Sequence, residues 1–296
     1  MITAASPEVP VVRFGTRTLP GDRASVMAIV NRTPDSFYDR GATYSDQAAM
    51  TAVDRAVNEG ADIVDIGGVK AGPGDDVGVA EETRRVVPFV AAVRQRYPDL
   101  LISVDTWRHE VARSAVQAGA DIINDTWAGA DPKLAEVAAE YRCGVVCSHT
   151  GGAPPRTRPH RVRYTDVVRA VIDDLTAQAG KLVRLGVPRE GILIDPTHDF
   201  GKNTWHGLEL LRRTDELVAT GWPVLMALSN KDFIGETLGV GLDDRVDGTL
   251  AATAIAAWAK VRVFRAHQVR QTRHVLEMVA SIAGTRPPAR AVRGLA

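Results

Sequence analysis

The chain has 296 residues, long enough to bury a substantial core as one large domain or two small ones. Lys plus Arg (36) equals Asp plus Glu (36), so no net field draws the protein to nucleic acid or an anionic membrane. The two cysteines, Cys143 and Cys147, are too few and too close for a secreted disulfide framework and read as small buried hydrophobes.

In chain order, residues 1–10 have neither a basic n-region nor an apolar h-region, so no signal peptide is expected. Segments 11–14 and 16–19 flank Gly15 and precede Pro20-Gly21, a pattern that predicts a small β-hairpin. Eight short apolar, β-branched segments follow: 26–30, 62–66, 101–104, 121–123, 144–147, 192–194, 223–228 and 261–264. Each is continuously apolar rather than alternating, as strands covered on both faces are. Helical patterns separate them. Ser45 caps a helix that Gly60 stops, and the period over 81–96 ends before Pro98. Helices are predicted over 108–118, over 133–141 behind Asp131-Pro132, and from Thr165 or Asp166 to Leu185. Segments 208–217, 249–259 and 271–283 complete the set. The apolar run 250–259 ends at Lys260, far short of a membrane span, so a soluble cytoplasmic protein is expected.

Strand followed by helix, eight times over roughly 250 residues, predicts a (β/α)₈ TIM barrel with a short N-terminal hairpin. Two Rossmann halves are the rival, but no Gly-x-Gly-x-x-Gly follows a strand and no linker divides the chain. One domain is expected over 11–284, with a basic, disordered tail over 285–296.

In such a barrel the carboxyl ends of all strands meet at one mouth. The strand ends carry Asn31, Asp65-Ile66-Gly67-Gly68, Asp105-Thr106, Asn124-Asp125, Ser148-His149, Asp195-Pro196, Ser229-Asn230-Lys231, and Arg265 with His267. One such residue alone would read as a structural polar group; eight ends in succession predict a ligand site. Asp105, Asn124 and Asp195 offer the acceptors and mixed amide that suit a flat nitrogen heterocycle. Lys231 and Arg265 supply cations, and Asn31 with His267 is suited to an anion or its metal. A zinc hydrolase is disfavoured because the histidines are scattered; His149 and His198 read as satisfied loop histidines before metal ligands. Arg156, Arg158, His160, Arg161 and Arg163 form a basic cluster that is either a solvated loop or an overhang of the mouth.

Taken together, Asn31…Thr33-Pro34-Asp35-Ser36-Phe37, Asp65-Ile66-Gly67-Gly68, Ser103-Val104-Asp105-Thr106, Ile123-Asn124-Asp125, Asp195-Pro196…Phe200-Gly201-Lys202, Lys231 and Arg265…His267 resemble the dihydropteroate synthase family, along nearly the whole chain. The resemblance implies a barrel that joins p-aminobenzoate to a dihydropterin-methyl pyrophosphate with Mg²⁺ help, as a homodimer through helices near the C-terminal end. It implies that Asp105, Asn124, Asp195, Phe200 and Lys231 hold the pterin. Asn31, Arg265 and His267 would hold pyrophosphate, with Asn31 at the metal, and Asp35, Phe37 and Lys231 would carry the catalytic roles.

The departures are equally specific. After the second barrel strand the family's Glu-Ser-Thr-Arg-Pro-Gly is replaced by Val69-Lys70-Ala71-Gly72-Pro73-Gly74, so a threonine and an arginine are missing. Ser229-Asn230-Lys231 lacks the family's middle arginine. Thr197-His198-Asp199 replaces Gly-Ile-Gly and adds a carboxylate, and Arg32 replaces a valine. Losing one transition-state cation costs about 3–4 kcal/mol, so the pattern predicts a pterin/pyrophosphate pocket partly kept and synthase turnover lost or very weak. Lys70 and Arg32 are the side chains placed to restore some positive charge. The alternatives are an active synthase with unusual loops, or a barrel enzyme or binding protein for another anionic ligand. A pterin-binding methyltransferase domain fits the first loop and Phe200-Gly201-Lys202 less well.

Overall fold

A computed structural model describes residues 10–33, 45–157 and 163–293. Strands β1 (Arg13–Phe14) and β2 (Arg17–Thr18) form the expected hairpin, turning at Gly15 with φ of 57°. Eight further strands follow: β3 (Ser25–Asn31), β4 (Ile63–Gly67), β5 (Leu101–Asp105), β6 (Ile122–Asp125), β7 (Gly144–Ser148), β8 (Ile192–Asp195), β9 (Leu225–Met226) and β10 (Val263–Ala266). They pair in parallel in the order β8-β7-β6-β5-β4-β3-β10-β9. A single bridge between Ile194 and Val224, with the Ile194 N–H donating to Pro223 O at 3.0 Å, joins the two ends. The expected (β/α)₈ barrel is the observed architecture.

The apolar runs hide an alternation. Met27, Ile63, Leu101, Ile122, Val146, Leu193, Leu225 and Val263, one from each barrel strand, form a single buried cluster with Val12, Phe14 and Leu19 of the hairpin segment. Their chain neighbours Val26, Val64, Ile102, Ile123, Val145, Ile192, Ile194, Met226 and Phe264 belong to a separate cluster shared with the helices. Side chains alternate along a strand, so the first set fills the barrel interior and the second lies beneath the helical ring. Further along most inward rows the side chains turn polar: Asp65, Ser103, Asn124, Asp195 and Arg265 two residues on, and Asn31 and Asp105 four residues on. Register sets them side by side, with Asn31 opposite Gly67, Gly67 opposite Asp105, and Asp105 opposite Asn124.

The helices are α1 (Asp46–Asn58), α2 (Val79–Arg96), α3 (His109–Gln117), α4 (Lys133–Tyr141), α5 (Val167–Leu185), α6 (Thr204–Arg212), α7 (Thr214–Val218), α8 (Asp232–Leu238), α9 (Val246–Trp258) and α10 (Val269–Ile282). Capping follows the sequence where it was readable: Ser45 Oγ accepts from Ala48 N at 3.2 Å, Asp166 caps α5, and Gly186 ends it at φ of 105°. Three elements depart from expectation. The helix predicted over 208–217 begins earlier, behind the reciprocal cap of Asn203 and His206, and breaks at Arg213. There the Thr214 hydroxyl donates to the carbonyls of Leu210 and Leu211 and competes with the helical ladder. Strand β9 keeps two residues of the predicted 223–228, because Pro223 has no N–H to give and Val224 is spent on closure. Helix α8 was not foreseen; its seven residues end on Gly239 at φ of 68°. Both cysteines are buried thiols, as expected.

Phe14 plugs the amino-terminal end of the barrel. A Cβ added to Gly144 would lie 2.3 Å from its ring. Phe14→Ala is expected to destabilise the fold by about 3–5 kcal/mol. Gly144→Ala is expected to destabilise strongly alone and far less in the Phe14→Ala background, a coupling that urea unfolding of the two single variants and the double variant measures.

Candidate functional site

The mouth is organised on Arg265. Its Nε donates to Asp65 Oδ2 at 2.6 Å and its Nη2 to Asp105 Oδ2 at 3.1 Å. Asp65 is fully buried and also accepts from Asn124 Nδ2 at 3.1 Å. Asp105 accepts at its other oxygen from the Thr126 hydroxyl at 2.5 Å. Gly67 lies between Asn31 and Asp105: a Cβ there would stand 3.8 Å from Asn31 Oδ1 and 3.6 Å from Asp105 Cβ. Burial raises the Asp105 carboxyl to about 6, against the pull of Arg265.

Across the mouth, the loop after β8 is tied down by Lys202. Its Nζ donates to the carbonyls of His149, Thr197 and Phe200, all at 3.0 Å, and lies 2.9 Å from His149 Nδ1. Burial pushes this amine down to about 7. Gly201 before it admits no side chain, since a Cβ would meet Thr150 O at 2.4 Å. Thr197 takes φ of 50°, a conformation that costs a β-branched residue about 1–3 kcal/mol. Three hydrogen bonds hold it there. Its N–H donates to Asp195 Oδ1 at 2.8 Å, its hydroxyl donates to Asp195 O at 3.0 Å, and the hydroxyl accepts from His149 N at 3.2 Å. Burial raises Asp195 to about 6, opposed by the Thr197 N–H and then by Lys231 and Lys202.

A cavity of about 490 Å³ opens at this mouth, and Asn31, Asp105, Phe200, Lys231, Arg265 and His267 all line it. Six of the residues proposed from sequence are thus brought together. Asn124 and Asp195 stand behind them, both buried and outside the cavity wall. Phe200 packs against the buried Trp127 with ring centroids 4.5 Å apart. Lys231 precedes α8 and pairs with Asp199. His267 Nδ1 lies 2.9 Å from Ser229 Oγ, which also accepts from the His267 N–H at 3.2 Å. Asp35 and Phe37 lie outside the described residues, as do Arg158, His160 and Arg161.

Several expectations change. Arg32 does not restore charge at the mouth: it is buried against α2, its Nε donating to Arg85 O at 3.3 Å, its guanidinium 4.7 Å from the Phe89 ring, and it pairs with Asp46. Lys70, in contrast, lines the cavity. Arg156 crosses the mouth, donating to Asp75 O at 2.6 Å, so this member of the basic cluster braces the loop after β4. His149 is held against the Lys202 amine, an unsuitable place for a metal ligand. Among the described residues neither ring nitrogen of the buried His198 has a hydrogen-bond partner, and the ring stacks on Phe233 at 5.5 Å. Among the described residues, the one group spaced to hold a metal ion is His109, Glu110 and Asp131, away from the cavity wall. Asp65 was visible as a strand end but had been given no role. A carboxylate inside the apolar run Ile63-Val64-Asp65-Ile66 was the signal, since such a charge needs a buried cation.

The parallel barrel with polar side chains at the carboxyl ends of its strands defines an α/β protein of the TIM-barrel class. The chain belongs to the pterin binding enzyme family, whose model matches residues 27–267. It is 67% identical over 284 residues to the inactive dihydropteroate synthase 2 of Mycobacterium leprae, covering 95% of this chain and 98% of that one. The solved structure of Rv1207 from Mycobacterium tuberculosis is 53% identical, with a TM-score of 0.73 over 92% of this chain and 98% of that one. The Yersinia pestis dihydropteroate synthase solved with a sulfonamide drug superposes with a TM-score of 0.88 at 32% identity, over 93% of this chain and all (100%) of that one.

The histidines at the mouth give a measurable signature. Burial, then Lys202 and Lys231, lowers the His198 imidazole to about 3, against 6.5 when it is freely solvated. The unfolded chain therefore takes up a proton at this residue near pH 6.5 and the folded chain only near pH 3. The preference for the fold is complete above pH 6.5 and is lost as the pH falls through that window. Relative to His198→Gln, the wild type is expected to lose about 1.4 kcal/mol per pH unit between pH 6 and 4, read from urea midpoints at each pH.

Proposed function

We propose that this protein is a dihydropteroate-synthase-like barrel that keeps a pterin pocket and has lost synthase turnover. The carrying observation is a contrast between two parts of the mouth. Arg265, Asp65, Asp105 and Asn124 form one connected network suited to the donor and acceptor edge of a pterin. The loop after β4, by contrast, presents Val69, Lys70 and Ala71 to the cavity in place of the threonine and arginine that the resemblance assigns to catalysis. Lys70 is a point charge without the planar fork of an arginine and is a poor substitute for clamping a departing pyrophosphate. The M. leprae relative's description as inactive supports the same reading.

In this reading Asp105, Asn124, Asp195, Phe200 and Lys231 hold the pterin, and Asn31, Arg265 and His267 face its anionic tail. Asp35 and Phe37 would close over the pocket from the first loop. Asn31 offers an amide oxygen on the cavity wall, the single protein donor that a Mg²⁺ ion carried in on phosphates needs. When bound there, Mg²⁺ would neutralise charge on the pyrophosphate. The barrel over 11–284 forms the pterin-binding domain and 285–296 a basic tail, in a soluble cytoplasmic protein with no nucleic-acid or membrane partner. Among the described residues no helix is long and apolar enough to cross a membrane.

With aminobenzoate, dihydropterin-methyl pyrophosphate and Mg²⁺, the purified protein is expected to give no product above background. Calorimetry is expected to register binding of a 6-hydroxymethylpterin that Asp195→Asn weakens at least tenfold. Turnover near the ordinary enzyme range of about 1–10 s⁻¹ would overturn the loss of activity, and absence of pterin binding would overturn the pocket.

A homodimer through α9 and α10 belongs to the same proposal. These neighbouring helices expose Ile255, Trp258, Met278 and Ile282, all about 60% accessible, an apolar surface suited to burial against a second copy. Sedimentation is expected to give a dimer for the wild type and a monomer for Trp258→Glu.

A further inference from the structure

Besides the polar network, the cavity is lined by His198, Asp199, Phe200, Lys231, Phe233 and Glu236. Three of these are flat rings, and His198 lies stacked on Phe233. The compartment is therefore shaped for a planar ring lying beside the pterin.

On the Lys231 side its charges are arranged against an anion. Lys231 is paired with Asp199, Arg265 is shared by Asp65 and Asp105, and Lys202 donates to three backbone carbonyls. Among the described residues, Lys70 is the one cation on the cavity wall that none of the ion pairs or hydrogen bonds engages. On the acidic side Asp232 pairs with Arg245, whereas the exposed Glu236 accepts from the Thr204 hydroxyl and pairs with no described cation. A carboxylate seeking Lys231 would have to displace Asp199 from it and remain beside Glu236. A neutral ring would displace nothing, and an amine would gain Glu236 and Asp199 as acceptors.

We propose that Asp199 is the specificity-determining residue of this compartment. By holding Lys231 as an internal carboxylate, it restricts the co-ligand to planar rings that are neutral or carry an amine, and it excludes aryl carboxylates. The proposal rests on the pterin-site reading for what lies next to the co-ligand, but not for the charge preference itself.

The test is a set of calorimetric titrations with 4-aminobenzoate, 4-aminobenzamide and benzylamine. Each is run with and without saturating 6-hydroxymethylpterin, on the wild type, Asp199→Asn and Asp199→Ser, with thermal melting to identify a folded variant. The wild type is expected to bind the amide at least tenfold more tightly than the acid, and the variants are expected to bring that ratio to about one. Equal affinity of the wild type for acid and amide, an unchanged ratio in a folded variant, or failure of all three rings to bind would each overturn the proposal. If pterin itself does not bind, the function proposed above falls, while the ratio measured without pterin still decides the role of Asp199.

Discussion

The guanidinium of Arg265 stands between Asp65 and Asp105 at the level where the barrel interior changes from apolar to polar. Asp65 is fully buried, and such a charge is tolerated only when paired and hydrogen-bonded. Here one guanidinium serves two carboxylates, and the amide of Asn124 supplies a further bond to Asp65. The group is strongly coupled: removing one member of such a buried set typically costs about 3–5 kcal/mol, because the charge left behind has no water to return to. The same network sits directly above the packed inner core, so the polar mouth and the closure of that core are one structure.

The network explains why much of the architecture was legible and some of it was not. The strands were readable because both their faces are buried, and continuous apolar runs mark them. That same continuity concealed which residues point inward, so Asp65 stood in the sequence as one strand-end polar group among many. Its importance depends on Arg265, two hundred residues away, and no local pattern joins the two. Arg32 misled for a related reason. Its position in a ligand loop suggested a cation for the mouth, but the Phe89 face and Asp46 offered it a buried place between helices. Helix α8 escaped notice because seven residues contain too few turns to establish a period.

The loop after β8 separates what the fold needs from what a catalyst needs. Lys202 and Gly201 resemble part of a substrate motif, yet their geometry is structural: the amine binds three carbonyls, and the glycine lets the chain pass Thr150 O. The backbone at Thr197 keeps a left-handed conformation that suits glycine, and it is held there by the hydroxyl and amide of the threonine itself. A threonine at this point supports the left-handed turn with its own hydrogen bonds, and Asp199 follows it on the cavity wall.

That surface is where the chemistry diverges. Asp199 lies two residues beyond the strained threonine, close enough to Lys231 to take the cation for itself. An arginine or lysine contributes to a transition state only if its charge is directed at the reacting group, so a cation engaged by a neighbouring carboxylate is lost to catalysis even though it remains in the sequence. In the proposed reading the mouth departs from a synthase in two independent ways: the loop after β4 lacks the threonine and arginine of the resemblance, and Lys231 after β9 is paired with Asp199 from the loop after β8. Neither segment takes part in the hydrogen bonds of the Arg265 network, which stands intact beneath both.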